Sequence, residues 1–115
     1  SWAGRFAEEY QAELAIVHVL PPEPPRPASY MDAEYRAVLT KNAQVAIAEL
    51  QGRAETKASV VIEPGTPAEL IAEVAEREQA DVVVIGRGAA AGGLGRLRAH
   101  AYSIIRSAPC PVVSV

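Results

Sequence analysis

A chain of 115 residues, 50% apolar and 22% charged, suffices for one small domain with a single core, residues 1–115, and is too short for a multidomain assembly. No run nears the roughly 18 uncharged apolar residues that cross a bilayer, one cysteine cannot close an internal disulfide, and two histidines form no cluster at zinc-ligand spacing. A net charge of −3, with one Phe and one Trp, argues against a nucleic-acid surface.

The opening carries no basic-then-apolar leader, and Trp2, Phe6 and Tyr10 recur every four residues. It reads as the interior of a helix, so a strand or loop that should precede that helix is expected to be absent from this chain. Glu13 to Leu20 follows, with Leu14, Ala15, Ile16 and Val17 apolar without alternation, as in a parallel strand covered on both faces. Pro21, Pro22, Glu23, Pro24, Pro25, Arg26 and Pro27 offer few amide donors and read as an extended surface loop. From Asp32 to about Ala54, the spacing of Leu39, Ala43, Ala46, Ile47 and Leu50 predicts a long amphipathic helix.

Ala58 to Ile62 is a short β-branched strand that ends at the turn signal Glu63-Pro64-Gly65. Thr66-Pro67-Ala68-Glu69 then has the form of a capping box, with proline at the first helical position. Leu70, Ile71, Val74 and Ala75 form the buried stripe of that helix, which expires near Gln79. Asp81 to Ile85 is the most apolar strand, and Gly86 ends it. After the glycines a helix with Leu97, Ala101, Ile104, Ile105 and Ala108 inward runs to Pro109, and Pro111 to Val115 closes the chain as a strand. Helices and strands therefore alternate, as in a parallel α/β sheet.

Ligands of open α/β sheets bind beyond the carboxyl ends of strands. Gly86, Gly88, Gly92, Gly93 and Gly95, with Ala89, Ala90 and Ala91 among them, occupy such a place, where backbone amides and a helix amino end suit phosphate. All 14 acidic residues lie at or before Asp81, while Arg87, Arg96, Arg98 and Arg106 stand beyond it unopposed. From pattern alone the stretch reads either as an anion site or as a plain close-packed loop followed by solvated arginines.

Two sharper motifs fail. Gly86-Arg87-Gly88-Ala89-Ala90-Ala91 has the dinucleotide spacing, but no acid follows Asp81, and a P-loop needs a lysine where the last one is Lys57. Cys110, between Pro109 and Pro111, reads as a small filler, and His18 and His100 have no triad partners. His100 is near enough to the glycines in sequence to donate to a phosphate. Glu8-Glu9 and Glu76 to Glu78 read as solvated helix faces, so neither a catalytic residue nor a metal ligand is assigned.

Four segments together resemble the universal stress protein family. Leu14 to Val19 is similar to its second strand, which ends in His-Val, and Gly65-Thr66-Pro67 to its Gly-x-Pro helix start. Ala80 to Gly86 is similar to its Ala-Asp-apolar-Gly strand, and Ala108-Pro109-Cys110-Pro111-Val112-Val113 to its closing Pro-Cys-Pro-Val. The resemblance implies a flavodoxin-like open sheet of order 3-2-1-4-5 with its first, central strand missing here. About 15 to 30 residues upstream are expected to supply that strand and a nucleotide-contacting Asp. It also implies a homodimer joined through the last strand, Val112 to Val115.

Family members that bind ATP carry Gly-x2-Gly-x9-Gly-Ser/Thr after the fourth strand. Gly86 matches its first position, but the second falls on Ala89, and the last two on Ala99 and His100, or on Arg98 and Ala99 with one extra loop residue. An alanine methyl obstructs close approach to phosphate, and the hydroxyl is lost. Arg87 and Arg96 with Gly92, Gly93 and Gly95 could rebuild an anion site, with the Val19 backbone facing the base. The expectation is a cytoplasmic, dimeric stress-response module with a degenerate nucleotide loop, binding neither nucleic acid nor membrane. Its alternatives are an ATP-binding protein with slow hydrolysis or phosphoryl transfer, using Mg only where ATP binds, and a regulatory lobe of a larger tandem or transporter protein.

Overall fold

The computed structural model describes residues 1–22, 30–86 and 94–115, with only the backbone course described at 30, 31 and 94–100. The chain divides into two compact units, Ser1–Gly65 and Thr66–Val115, each a parallel strand pair with its own helices.

In the first unit, helix α1 spans Trp2–Glu9, and the Ser1 hydroxyl accepts from the Gly4 amide at 3.2 Å, so Ser1 is a cap rather than a helical residue. Trp2, Phe6 and Tyr10 stack along one side of α1, with ring centroids 5.2 and 4.7 Å apart. A methyl at Gly4 would stand 3.0 Å from Thr56 Cγ2, so a glycine lets α1 approach the start of the next strand segment closely.

Strand β1, Ala15–Leu20, runs parallel to β2, Ser59–Pro64, in register from Ala15 opposite Ser59 to Leu20 opposite Pro64. The expected turn at Glu63-Pro64 is instead the last two positions of β2. Proline, which cannot donate to a ladder, is tolerated at the end of a strand, and the chain turns at Gly65, whose N–H donates to Leu20 O at 3.1 Å. β1 starts later than Glu13 because the end of α1 uses Gln11 and Ala12. Its cover is incomplete: Ala15 and His18, on opposite faces, are exposed, and only Leu20 is buried.

Helix α2, Tyr30–Ala54, joins the two strands. Ala43 and Ile47 are each 7% exposed and form the unit's core with Leu20. Of the predicted stripe, Leu39 is half-buried and Ala46 and Leu50 are exposed. The line that faces the strands passes instead through Arg36, Thr40, Ala43, Ile47 and Gln51, and Leu50 lies turned away from it. The Gln51 amide pairs with the entrance of β2: Oε1 accepts from the Ala58 N–H and, at 3.3 Å, from the Thr56 hydroxyl, while Nε2 donates to Ala58 O at 3.3 Å.

In the second unit, Thr66 caps helix α3, Pro67–Arg77, with Pro67 at the first position. The cap works by extended backbone alone, at φ −85° and ψ 128°, and its hydroxyl accepts no bond, so the expected capping box is not formed. Ala68, Leu70, Val74 and Ala75 are buried and Ile71 is half-buried. Strand β3, Val83–Ile85, pairs in parallel with β4, Val112–Ser114, through helix α4, Leu94–Ser107. Single bonds from Val83 N to Pro111 O, 3.0 Å, and from Val115 N to Ile85 O, 2.9 Å, extend the pairing at both ends. α4 buries Ile104, with Ala101 and Ala108 half-buried, whereas Ile105 is 54% exposed rather than inward. The inward line follows i, i+3, i+7, which leaves position 105 a quarter turn outside it.

The helices α1, α2 and α3 end alike. Gln11, Glu55 and Gln79 take left-handed φ of 53°, 55° and 53°, and the next amide reaches back five residues, at 2.8 Å from Ala12 to Ala7, 3.0 Å from Thr56 to Gln51 and 2.8 Å from Ala80 to Ala75. The two pairings, β1 with β2 and β3 with β4, are those that the order 3-2-1-4-5 assigns to its second and third and its fourth and fifth strands.

Because Ala58 relies on one side chain for both its polar groups, Gln51→Leu is expected to lower stability by about 1–3 kcal/mol. Urea unfolding measures this, and an unchanged midpoint would show that the amide pairing contributes nothing.

Candidate functional site

The carboxyl end of β3 is where sequence reasoning concentrates. Ile85 is the last paired residue, its carbonyl taken by the Val115 amide, and Gly86 follows it exposed. α4 begins at Leu94, so the segment between them runs from a strand's carboxyl end to a helix's amino end. The first turn of α4 contains no acidic residue, and its leading amides have no intrahelical acceptors.

Arg87, Gly88, Ala89, Gly92 and Gly93 lie outside the described residues. Gly95 and Arg96 fall in the first turn of α4, and Ala99 and His100 in its second, so that 96, 99 and 100 stand at i, i+3 and i+4 along the helix. Val19 belongs to the first unit. It is the second-last residue of β1, half-buried and opposite Glu63, with exposed His18 before it and buried Leu20 after it. Both Val19 and Gly86 therefore sit at the carboxyl end of a strand, each within its own unit.

One feature of this end escapes the sequence reading. Pro21 and Pro22 have no N–H to donate, and their carbonyls need outside donors. Arg36, on the second turn of α2, meets both: Nη1 donates to Pro21 O at 3.0 Å and Nη2 to Pro22 O. The proline pair is a visible signal of unpaired carbonyls, but nothing in residue spacing states that the guanidinium of Arg36, on the following helix, turns back to them.

Cys110 is a free, half-buried thiol. Among the described residues no three His, Cys, Asp or Glu side chains stand close enough to hold a metal ion, and no helix is long and apolar enough to cross a membrane. An open cleft of about 460 Å³, bordered by Gly4, Glu8, Glu13, Thr56, Lys57 and Ser59, lies at the amino ends of β1 and β2, the opposite end from that at which such sheets hold ligands.

Comparisons with known proteins extend the resemblance. The hypothetical protein MJ0577 has a solved structure similar to this one, with a TM-score of 0.78 and 20% identity over 99% of this chain and 85% of that one. A universal stress protein from Archaeoglobus fulgidus DSM 4304 gives a TM-score of 0.59 at 26% identity, over 98% of this chain but 36% of that chain. A universal stress protein solved in complex with cAMP gives 0.57 at 23% identity, over 99% and 81% of the two chains. No significant match is found among curated proteins. The fold is α/β and flavodoxin-like. The sequence model of the universal stress protein family matches residues 1–115 in full, and the chain belongs to that family.

Proposed function

We propose that this chain is a regulatory nucleotide-binding module, a single cytoplasmic domain that acts as a homodimer and holds a ligand with one phosphate in preference to MgATP. The observation that carries the reading is the exposed Gly86 at the carboxyl end of β3, followed by an acid-free helix start, in a family with a member solved in complex with cAMP.

Backbone amides from Gly86 to Gly95 and the amino end of α4 offer donors to a phosphate, and Arg87 and Arg96 offer charge. His100 is one further donor. The preference for one phosphate follows from chemistry. Ala89, Ala99 and His100 replace the second glycine, third glycine and hydroxyl of the ATP-binding pattern, so the groups that follow a chain of phosphates are gone while the first contact at Gly86 is kept. Mg accompanies ATP only and has no role with a single phosphate. The reading is of binding and not of turnover.

Calorimetry on the chain tests this. cAMP is expected to release heat with a dissociation constant about tenfold or more below that of MgATP, and Arg96→Ala to weaken cAMP by about tenfold through loss of a charge-assisted bond. No heat with either nucleotide would end the proposal.

The pattern can also be rebuilt. Ala89→Gly with Ala99→Gly and His100→Ser is expected to raise MgATP affinity about tenfold, and an unchanged affinity would show that the lost positions are not what disfavours ATP.

For assembly, β4 pairs with β3 along one edge, carries half-buried Val112 and Val113, and is followed by Val115, 42% exposed. An apolar edge of this kind is a pairing surface. Light scattering is expected to give twice the chain mass for the wild type and the single mass for Val113→Lys, and equal masses would remove this interface.

A further inference from the structure

In the second unit, unlike charges are sorted onto two neighbouring helices. α3 buries Ala68, Leu70, Val74 and Ala75, and on its opposite side Glu69, Glu73 and Glu76 stand exposed at i, i+4 and i+7. Arg77, the only cation on α3, is already engaged within the chain. α4 packs against α3 and buries Ile104, leaving Tyr102 at 72% and Ile105 at 54% exposure, with Arg106 exposed next to them. α4 and β4 hold no acid, because none follows Asp81. Among the described residues, none of Glu69, Glu73, Glu76 and Arg106 is in an ion pair. Both helices lead into strands of one parallel pair, α3 ending at Arg77 ahead of Val83 and α4 at Ser107 ahead of Val112. Their last turns therefore lie at about the same height, with Glu76 level with Arg106 and Glu73 level with Tyr102.

We propose that this helical face is a docking surface for a second copy of the chain, α3 of one copy lying on α4 of the other. A two-fold axis running along the helices makes that contact twice and keeps the matching heights together. Glu76 of each copy then meets Arg106 of the other, and Glu73 accepts from the Tyr102 hydroxyl. Tyr102 and Ile105 leave water against Ala72 and the aliphatic stems of the glutamates. Charge selects the occupant. Laying α4 on α4 would set Arg106 against its own kind, and a partner of one sign would match one helix and oppose its neighbour. A surface with the same two rows satisfies both, and a second copy carries it. The face is separate from the edge of β4 and owes nothing to the nucleotide reading. Because exposed ion pairs are screened, the association is weak and belongs to low ionic strength.

Sedimentation of the chain at about 0.02 M and about 0.5 M salt tests this, the Debye length falling several-fold between the two. The wild-type mass at low salt is expected to be about twice its mass at high salt, whether edge pairing through β4 makes the high-salt species one chain or two. Arg106→Glu and Glu76→Arg, each of which sets like charges together twice in the assembly, are expected to abolish the low-salt gain. The double variant Arg106→Glu with Glu76→Arg is expected to restore it. Tyr102→Ser is expected to reduce the gain by removing apolar contact without touching charge. All three positions are exposed, so unfolding midpoints are expected to stay within about 4 °C of the wild type, which separates lost docking from lost folding. Equal wild-type masses at the two salts overturn the proposal, as does a gain that survives either single reversal or one that the double variant fails to recover.

Discussion

Parallel pairing is the constraint from which the rest follows. Two parallel strands cannot be joined by a tight turn, and each pair here is closed by a helical crossover, α2 between β1 and β2 and α4 between β3 and β4. Within a unit both strands then end on the same side, and the segments that leave those ends must find hydrogen-bond partners outside the ladder. In the first unit the problem is sharpened by Pro21 and Pro22 and solved by Gly65 and Arg36. In the second, β3 ends at Ile85, whose carbonyl accepts from the Val115 amide, and the exposed Gly86 follows it.

Much of this order was legible because the strong signals are local. β-branched runs marked every strand, Pro67 marked the start of α3 and Pro109 the end of α4, and the proline segment marked a connection. What failed was whatever depends on a neighbour. Leu50 and Ile105 fit their helical stripes within tolerance, yet each lies one position outside the line that meets the sheet or the facing helix, and periodicity has no means of choosing between adjacent positions. The capping box is a different case: Thr66 stands at the N-cap in extended backbone and its carbonyl accepts from Leu70 at 2.9 Å, but its hydroxyl makes no cap bond.

Glycine does not mark the ends of α1, α2 and α3. The usual stop signal is a glycine in left-handed conformation, but Gln11, Glu55 and Gln79 hold that conformation here, while Gly52 sits inside α2 with open space around it. Each non-glycine end costs about 1 kcal/mol and is repaid by a back-reaching amide bond. Chain reversal immediately before a strand is what they share: β1 and β2 begin within four residues of Gln11 and Glu55, and β3 begins four after Gln79. The requirement is geometric, and composition does not display it.

The candidate site divides along the same line. The position of its first residue was readable, because a glycine directly after an apolar strand stands at that strand's carboxyl end, and the exposed Gly86 follows β3. Its ligand was less readable, since glycine, alanine and arginine describe a surface fit for an anion without stating how many phosphates it meets. On the proposed reading, Ala89, Ala99 and His100 stand where the ATP-binding pattern has its second glycine, third glycine and hydroxyl, while Gly86 keeps its first position. Arg87 and Arg96 have no acidic residue near them in sequence, since none follows Asp81. Charge suited to an anion is present beyond Asp81 while three positions of the ATP-binding pattern are absent, and the proposed single-phosphate ligand is the reading that accommodates both.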